Sequence, residues 1–317
     1  VAQVKSSPSS FALIGLFVGL VVGLIAGFIW DAIDRGRTTG RDVAGTLNLP
    51  VLANIPTPPK HLSSENRLAS MEEAEPTAES YRLLAVRLAL LCATPDRQVL
   101  LITSAVDSEG KSTTAANVSV ALAQMGKSVV MVDGDLLRPT AARFFGADDG
   151  PGLFDLLAGD LDVADVGVEV MLPGHAMAGG RLRVIPAGRV TGDPTGLLAS
   201  DRLDTVIGEL RESADYVIVD CTPLLTVSHA MVVSSRADAL VVITRADRVT
   251  PEISWNLQET LKAVPAMALG VVVTAADANP IYGYGYYGRV SDTGASLNGD
   301  GSSRLPAALP IPGLGKR

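Results

Sequence analysis

Short apolar runs that alternate with helical segments constrain the fold of this chain more than any other feature. Each run is continuously apolar, as in strands whose two faces are both buried, and parallel sheets covered by helices contain such strands. The pattern therefore predicts an α/β domain with a mainly parallel sheet flanked by helices. The expected strands are Gln98–Thr103, Ser128–Val132, Arg183–Pro186, Tyr216–Val219, Ala239–Thr244 and Leu269–Thr274, with a helix over Ser112–Met125.

An uncharged apolar segment, Phe11–Trp30, precedes this domain. As a helix it would extend roughly 30 Å, the thickness of the hydrocarbon layer of a bilayer. It is longer than the apolar core of a cleaved signal peptide, so the sequence predicts one transmembrane helix. Arg35, Arg37 and Arg41 follow the segment and only Lys5 precedes it. This asymmetry predicts a chain anchored in the plasma membrane with its C-terminal part in the cytoplasm.

Composition divides the rest of the chain and excludes some functions. The net charge of -8 argues against a nucleic-acid-binding surface. Cys92 and Cys221 lie far apart, which fits unpaired thiols in a reducing compartment and no metal-ligand spacing. The predicted parts are a membrane anchor at 1–30, a juxtamembrane segment and linker at 31–77, a nucleotide domain at 78–277 and a flexible tail at 278–317.

The segment Ala105–Ser112 matches the phosphate-loop pattern, with Ala105 in the place of the first glycine. A strand before it and a helix after it give the context in which loop N–H groups bind phosphates at a helix N-terminus. Lys111 is expected to reach the β- and γ-phosphates of ATP, and the hydroxyl of Ser112 to bind Mg²⁺. The predicted nucleotide-binding residues are Ala105, Val106, Asp107, Ser108, Glu109, Gly110, Lys111, Ser112 and Thr113.

Acidic residues end two of the predicted strands, Asp133 and Asp135 after one and Asp220 after another. Ligands of open parallel sheets bind at the carboxyl ends of strands, so these carboxylates should converge beside the loop. Asp220 is expected to hold Mg²⁺ through water, and either Asp133 or Asp135 to bind the metal or accept a proton from an attacking hydroxyl. One of these two could instead cap the next turn. The predicted catalytic residues are Lys111, Asp133, Asp135 and Asp220, and the predicted metal ligands are Ser112, Asp133 and Asp220.

Four of the six tyrosines form a cluster among glycines near the C-terminus. Accessible hydroxyls on a flexible segment are suited to accept a phosphoryl group, whereas aromatic packing on a neighbouring surface is the structural alternative. The predicted phosphoacceptors are Tyr282, Tyr284, Tyr286 and Tyr287.

These motifs together resemble the bacterial tyrosine kinases (BY-kinases) of capsule and exopolysaccharide assembly. The resemblance covers nearly the whole chain, from the last membrane helix of a polysaccharide co-polymerase region to the tyrosine cluster. The second acidic motif, Asp133–Pro139, and the tyrosine cluster are its most specific parts. Further matches are Leu52–Pro56, Glu79–Arg82, Gly152–Leu153, Asp193–Leu198 and Asp220–Pro223.

The resemblance implies an ATP- and Mg²⁺-dependent kinase that phosphorylates its own C-terminal tyrosines between the subunits of a ring. It implies Glu79, Arg82 and Arg87 as the subunit contact. The implied partners are other copies of the chain, the polysaccharide polymerase and export machinery, and a tyrosine phosphatase. In members fused to a co-polymerase, an extracytoplasmic domain and an earlier membrane helix precede the anchor, and here these would lie upstream of Val1.

The chain also departs from the family pattern. Ala85 stands at the second arginine of the helix motif Glu-x-x-Arg-x-x-Arg, with Arg87 two positions later. Leu137 stands at an arginine of the second acidic motif, beside Arg138, and His229 replaces an aspartate. His229 is expected to be a histidine at a helix start or on the surface. The departures leave open a nucleotide-sensing co-polymerase scaffold without kinase turnover. A second alternative keeps the ATP site but not the kinase, a partitioning-type ATPase switch, and the tyrosine cluster and the membrane anchor argue against it.

Overall fold

Strands and helices alternate along the chain. The computed structural model describes residues 8–34, 40–59, 61–62, 67–72, 76–92, 99–159, 161–172 and 179–276. The helices are α1 Pro8–Asp34, α2 Gly40–Leu47, α3 Pro76–Leu91, α4 Lys111–Gln124, α5 Leu153–Ala158, α6 Thr195–Leu198, α7 Asp201–Ser213, α8 His229–Ser234 and α9 Pro251–Ala263. The strands are β1 Val51–Pro56, β2 Val99–Ser104, β3 Ser128–Asp133, β4 Val168–Glu169, β5 Arg181–Ile185, β6 Tyr216–Asp220, β7 Ala239–Arg245 and β8 Met267–Ala276. Short 3₁₀ turns cover Ala69–Met71, Ala142–Phe145 and Val163–Asp165.

These strands form one sheet in the order β1-β8-β7-β2-β6-β3-β5-β4. The short edge strand β4 pairs antiparallel with β5, and the other neighbours pair in parallel. The predicted α/β class with a mainly parallel sheet is therefore confirmed. Strand β2 lies between β6 and β7, so the segment that follows β2 emerges between the carboxyl ends of two neighbours, where such sheets bind ligands.

Strand β1 lies inside the predicted juxtamembrane segment and pairs with β8. The sheet therefore begins at Val51, ahead of the domain start expected at residue 78. The described parts of the predicted linker are also packed: Leu62 and Leu68 are each only 2% exposed. The main-chain N–H of Ser70 donates to Oδ1 of Asn117 on α4 at 2.8 Å. Strand β1 contains the polar Asn54 and ends in Pro56, so it lacks the continuous apolar run that marks the predicted strands.

Helices cover both faces of the sheet. On one face, α3 packs Leu84, Ala85 and Leu88 against α4, and these side chains are fully buried. Helix α4 is buried on nearly all sides, because small residues let α3 and the sheet approach it closely. On the other face, α5, α7, α8 and α9 cover a second apolar cluster. Two buried faces explain why the strands are continuously apolar.

Helix α1 covers the segment predicted to cross the membrane. Its described side chains between Gly15 and Phe28 are exposed, including Leu16 at 72% and Phe28 at 77%. Across the part of the chain that the structure describes, no helix meets both the length and the apolar character needed to span a membrane.

Candidate functional site

The predicted phosphate loop lies between the end of β2 at Ser104 and the start of α4 at Lys111. Gly110 caps the helix with φ +93°, and Ser108 adopts φ +62°, a left-handed conformation that is uncommon for a non-glycine residue. Ala105 lies outside that left-handed region and is 1% exposed, so alanine fits where the motif has its first glycine. The loop places the free N–H groups of the α4 N-terminus toward one cavity.

That cavity has a volume of about 350 Å³ and opens beside the loop. Six of the predicted nucleotide-binding residues line it: Asp107, Ser108, Gly110, Lys111, Ser112 and Thr113. Ala105, Val106 and Glu109 do not line it. Among the predicted carboxylates, Asp135 lines it. The far wall comes from the segment after β3, namely Arg138, Thr140, Arg143 and Phe144.

Lys111, the first residue of α4, lines the cavity and is largely buried. Its Nζ donates to Asp135 Oδ2 at 2.8 Å and to Ser112 Oγ at 3.4 Å. Burial alone would lower the pKa of Lys111, but the negative charges of Asp220, Asp135 and Asp133 outweigh it and the pKa is raised. Lys111 is therefore a fixed cation at the loop, as binding of phosphates requires.

Asp133 and Asp220 lie side by side, since they are register partners at the ends of β3 and β6. Gly134 links the ends of β3 and β6, because its N–H donates to the Asp220 carbonyl at 2.7 Å. An added Cβ would lie 2.8 Å from that oxygen, so only glycine fits there. Both carboxylates are buried, and among the described residues none is in hydrogen-bond geometry with Oδ1 of Asp133 or with either oxygen of Asp220. The Ser112 hydroxyl is nevertheless close enough to lower the pKa of Asp220. Burial is the main cause that raises the pKa of Asp133 to about 6 and that of Asp220 to about 7. The charge of Asp135 adds to the shift of both groups, the charge of Asp133 adds to that of Asp220, and Lys111 opposes both shifts.

These unpartnered oxygens fit a divalent cation. Within the described ranges, no group of three or more His, Cys, Asp or Glu residues forms a ready-made metal site. Mg²⁺ does not need one, because it binds through one or two carboxylates, water and substrate phosphates. Ser112, Asp133 and Asp220 would hold it here, and the ion would neutralise phosphate charge. Buried carboxylates without donors are otherwise costly, which supports this interpretation.

Asp133 and Asp135 each use one carboxylate oxygen to cap the turn after β3, which is the alternative role considered for one of them. Asp135 Oδ1 accepts from the N–H of Arg138 at 3.0 Å, and Asp133 Oδ2 accepts from the N–H of Ala142 at 3.2 Å. The other oxygen of Asp135 accepts from Lys111. Both residues therefore shape the segment after β3 and also supply charge beside Lys111.

Sequence reasoning missed the far wall of the cavity. Thr140 Oγ1 donates to Ser112 Oγ at 2.9 Å, so it contacts the predicted metal-ligating hydroxyl directly. Arg138 Nη1 lies 3.3 Å from Asp107 Oδ2, which joins this wall to the loop by an exposed ion pair. No motif marks Thr140 or Arg143. The position of Arg138 beside Leu137 in the acidic motif was the one available signal.

The departures from the family pattern have structural explanations. Leu137 is 48% exposed and does not line the cavity, whereas Arg138 does. His229 begins α8, as expected, but it is buried rather than on the surface. Its Nε2 lies 3.0 Å from Thr195 Oγ1, and Thr195 in turn donates to Asp193. Ala85 is fully buried on the core face of α3, where an arginine would have to be accommodated against α4.

The predicted contact residues lie on α3. Glu79 is exposed and Arg82 is half-buried, and they pair with each other at 2.8 Å. Arg87 donates to the carbonyl of Leu52, which lies at the register shift between Val51 and Ala53 in β1. The guanidinium of Arg87 therefore serves its own sheet. The predicted phosphoacceptors, Tyr282, Tyr284, Tyr286 and Tyr287, lie outside the described residues.

Comparison with known proteins agrees with this architecture. The family profile described as an AAA domain matches residues 98–266. The chain is 31% identical to tyrosine-protein kinase YwqD of Bacillus subtilis over 225 residues, 70% of this chain and 91% of YwqD. It is 29% identical to tyrosine-protein kinase CpsD of Streptococcus agalactiae over 224 residues, 70% of this chain and 94% of CpsD. The kinase domain of the Escherichia coli tyrosine kinase ETK superposes with a TM-score of 0.66 at 25% identity, covering 78% of this chain and 99% of that domain.

Fold and loop together define an α/β P-loop NTPase with an AAA-type domain. Within that class, the chain belongs to the bacterial tyrosine-protein kinase family. It also matches EpsB of Ralstonia nicotianae at 29% identity over 83% of this chain, and it spans 36% of the length of EpsB.

Proposed function

We propose that this chain binds ATP with Mg²⁺ and transfers the γ-phosphate to tyrosine hydroxyls of its own C-terminal cluster. One observation carries the proposal: Lys111, Ser112 and Asp135 face a single cavity at the carboxyl end of the sheet. A cation, a metal-ligating hydroxyl and a carboxylate are the groups that phosphoryl transfer requires, because it depends on charge neutralisation and positioning.

The residues divide the chemistry as follows. Lys111 turns from Asp135 to the phosphates when nucleotide enters. Asp135, which lines the cavity, then accepts the proton of the attacking tyrosine hydroxyl, while the bond between the γ-phosphorus and the ADP oxygen breaks and a phosphorus–tyrosine oxygen bond forms. Ser112, Asp133 and Asp220 would hold Mg²⁺, which would supply positive charge to the phosphates. The support for this division is that all three aspartates are buried but only Asp135 lines the cavity.

Mass spectrometry of the full chain after incubation with Mg-ATP tests the transfer. Wild type should gain phosphate on the tyrosine cluster. Lys111→Ala should gain none, nor should the variant with Tyr282, Tyr284, Tyr286 and Tyr287 all changed to Phe. Lys262→Ala removes an exposed lysine far from the site and is the matched control. Mixing the Lys111→Ala chain with the Tyr-to-Phe chain tests transfer between subunits, because phosphate can then appear only on the Lys111→Ala chain.

Two other results would replace this function. If wild type binds ATP but neither hydrolyses it nor gains phosphotyrosine, the chain is a nucleotide-sensing scaffold. If it hydrolyses ATP with no phosphotyrosine, it is an ATPase switch.

Assembly into a ring would use one face of α3, defined by Glu79, Arg82, Leu83, Val86 and Leu90. Leu83, Val86 and Leu90 are 44%, 42% and 73% exposed, an apolar stripe beside the Glu79–Arg82 ion pair. Such a stripe favours coverage by another protein surface, here proposed to be a second copy. Leu90→Asp should lower the mass measured by light scattering. Met171→Asp, at a residue 90% exposed elsewhere, should leave it unchanged; an equal mass for both variants would exclude the face.

The cellular setting is proposed from the family resemblance and the apolar segment Phe11–Trp30. The chain would be anchored in the plasma membrane as the end of a co-polymerase region, with the nucleotide domain in the cytoplasm. Its phosphorylation would regulate exopolysaccharide polymerisation and export together with that machinery, and a tyrosine phosphatase would reset it. Removing residues 1–34 should release the chain from the membrane fraction of the cell; retention there would contradict the anchor.

A further inference from the structure

The side chain of Glu109 points away from the cavity that its own loop lines. Ser108 and Gly110, on either side, both line the cavity, but Glu109 does not and is only 1% exposed. A buried carboxylate inside a loop that must bind polyanionic phosphates needs a reason, because its charge opposes the ligand and its burial is costly.

The carboxylate of Glu109 joins the loop to the neighbouring strand β7. Its Oε2 accepts from the N–H of Val106, within the loop, at 3.0 Å. Its Oε1 accepts from the N–H of Arg245 at 3.3 Å and faces Thr244 Oγ1 at 3.4 Å. Burial raises the pKa of Glu109, while these donors favour the charged form and limit the shift. Every donor comes from protein, so the group is satisfied before any ligand binds.

Two further hydrogen bonds, from side chains to loop carbonyls, hold the loop on the side of β7 and β8. Thr274 Oγ1, near the end of β8, donates to the Glu109 carbonyl at 2.7 Å. Arg248, just after β7, donates to the Asp107 carbonyl at 3.0 Å. An added Cβ on Gly110 would lie 3.3 Å from Thr274 Cγ2, which shows how closely β8 approaches the loop. The ends of β7 and β8 therefore support the loop from behind.

We propose that Glu109 is a positioning residue for nucleotide, which ties the phosphate loop to β7 so that the loop N–H groups are oriented before the phosphates arrive. It touches neither the nucleotide nor the metal. Preorganised donors bind a charged ligand without the free-energy cost of ordering the loop at that moment. The ligand class is a nucleoside di- or triphosphate. The role rests on the nucleotide binding in the proposed function and not on transfer to tyrosine.

Isothermal titration of the full chain with ADP and with ATP, each with Mg²⁺, tests this role. Glu109→Ala should weaken both nucleotides by about tenfold or more and to the same extent, since hydrogen bonds to a charged group are lost and the loop is no longer preset. Glu109→Gln keeps one acceptor oxygen and should weaken them less. Glu212→Ala, at an exposed glutamate on α7, is the matched control. Amide hydrogen exchange should become faster at Val106 and Arg245 in Glu109→Ala, and to a smaller extent in Glu109→Gln.

The outcomes separate the competing interpretations. Unchanged ADP affinity in folded Glu109→Gln and in Thr244→Val, which removes one donor to Glu109 Oε1, would overturn the positioning role even if Glu109→Ala fails to fold. Weaker ATP binding with unchanged ADP binding would also overturn it, because it would place Glu109 at the γ-phosphate. Loss of phosphotyrosine in wild type with the expected ADP effect in the variants would reject only the kinase proposal.

Discussion

Two buried carboxylates flank strand β2, and they differ in whether the protein satisfies them. Glu109, on the β7 side, accepts hydrogen bonds from the loop and from the adjoining strand. Asp220, on the β6 side, is fully buried, and among the described residues no donor is in hydrogen-bond geometry with its oxygens, although the Ser112 hydroxyl lowers its pKa. A buried acid with protein donors supports the architecture, whereas one without donors has its oxygens available for a ligand. The site thus combines a phosphate loop held by hydrogen bonds to β7 with acidic strand ends whose oxygens are available to a cation.

Charge makes the contrast stronger. Asp133 and Asp135 stand beside Asp220, and Lys111 is the cation among them. Burial raises the pKa of Asp220 from its ordinary value of 3.8 to about 7. A divalent cation would stabilise the buried negative charge of these aspartates. Its binding would therefore gain free energy from neutralising that charge.

Asp220→Asn should have the largest effect, because it removes the unsatisfied charge that distinguishes Asp220 from Glu109. We expect phosphotransfer to fall by at least about 100-fold, since an electrostatic contact to the transferring group or its metal is lost. Without nucleotide and metal, the same variant should be more stable than wild type by about 1–2 kcal/mol at pH 8, because a buried charge is removed. The measurements are phosphotyrosine formation and urea unfolding in a chelator.

The pH dependence of that stabilisation has a definite sign. The folded pKa of Asp220, about 7, lies above its ordinary value of 3.8, so the folded state binds the proton more tightly. Wild type therefore loses stability as pH rises through this window, and asparagine does not. The stability difference should be small at about pH 4 and largest above about pH 7. A variant that is less stable than wild type at pH 8 would show that the attraction of Lys111 and Ser112 outweighs the cost of burying the Asp220 charge.

Arg138→Ala tests the far wall of the cavity, which the segment after β3 forms. Arg138 lines the cavity, and its exposed ion pair with Asp107 is of the kind that contributes only about 0–1 kcal/mol, so a phosphate can replace that partner. We expect ATP affinity to fall by about fivefold to tenfold with ADP affinity nearly unchanged, as for loss of one charge-assisted contact. Titration with both nucleotides measures this. Leu137→Ala, outside the cavity, is the control, and equal losses for ATP and ADP would assign Arg138 to the loop support instead.

Ser108→Gly should have the smallest effect. Ser108 adopts φ +62° in the loop, where glycine avoids a steric cost of about 1 kcal/mol. We expect stabilisation of that size or less in urea unfolding. Ala105→Gly, at a position without positive φ, should instead destabilise the protein by about 0.5–1 kcal/mol. The same sign for both variants would show that the backbone conformation of the loop does not control its stability.

Much of the fold and part of the site could be predicted because their signals are local. Strand, loop and helix follow one another directly from Val99 to Gln124, so the phosphate loop is visible in the chain. Continuous apolar runs also mark the strands that carry Asp133 and Asp220. Strand β1 was missed because its membership of the sheet depends on pairing with β8, and the docking of Ser70 depends on Asn117, far along the chain.

The sequence by itself determined the α/β class, the phosphate loop and the set of carboxylates, because periodicity and motif spacing depend on neighbouring residues. The tertiary structure alone decided what each acid does. Glu109 belongs to the nucleotide-binding motif, but its partner Arg245 lies 136 positions away, and that contact turns its side chain out of the cavity. Asp220 has the same carboxylate chemistry, yet it is buried between β2 and β3 with no donor in hydrogen-bond geometry among the described residues, which leaves its oxygens available to a cation. Long-range packing and dielectric environment set these roles, and no local pattern encodes them.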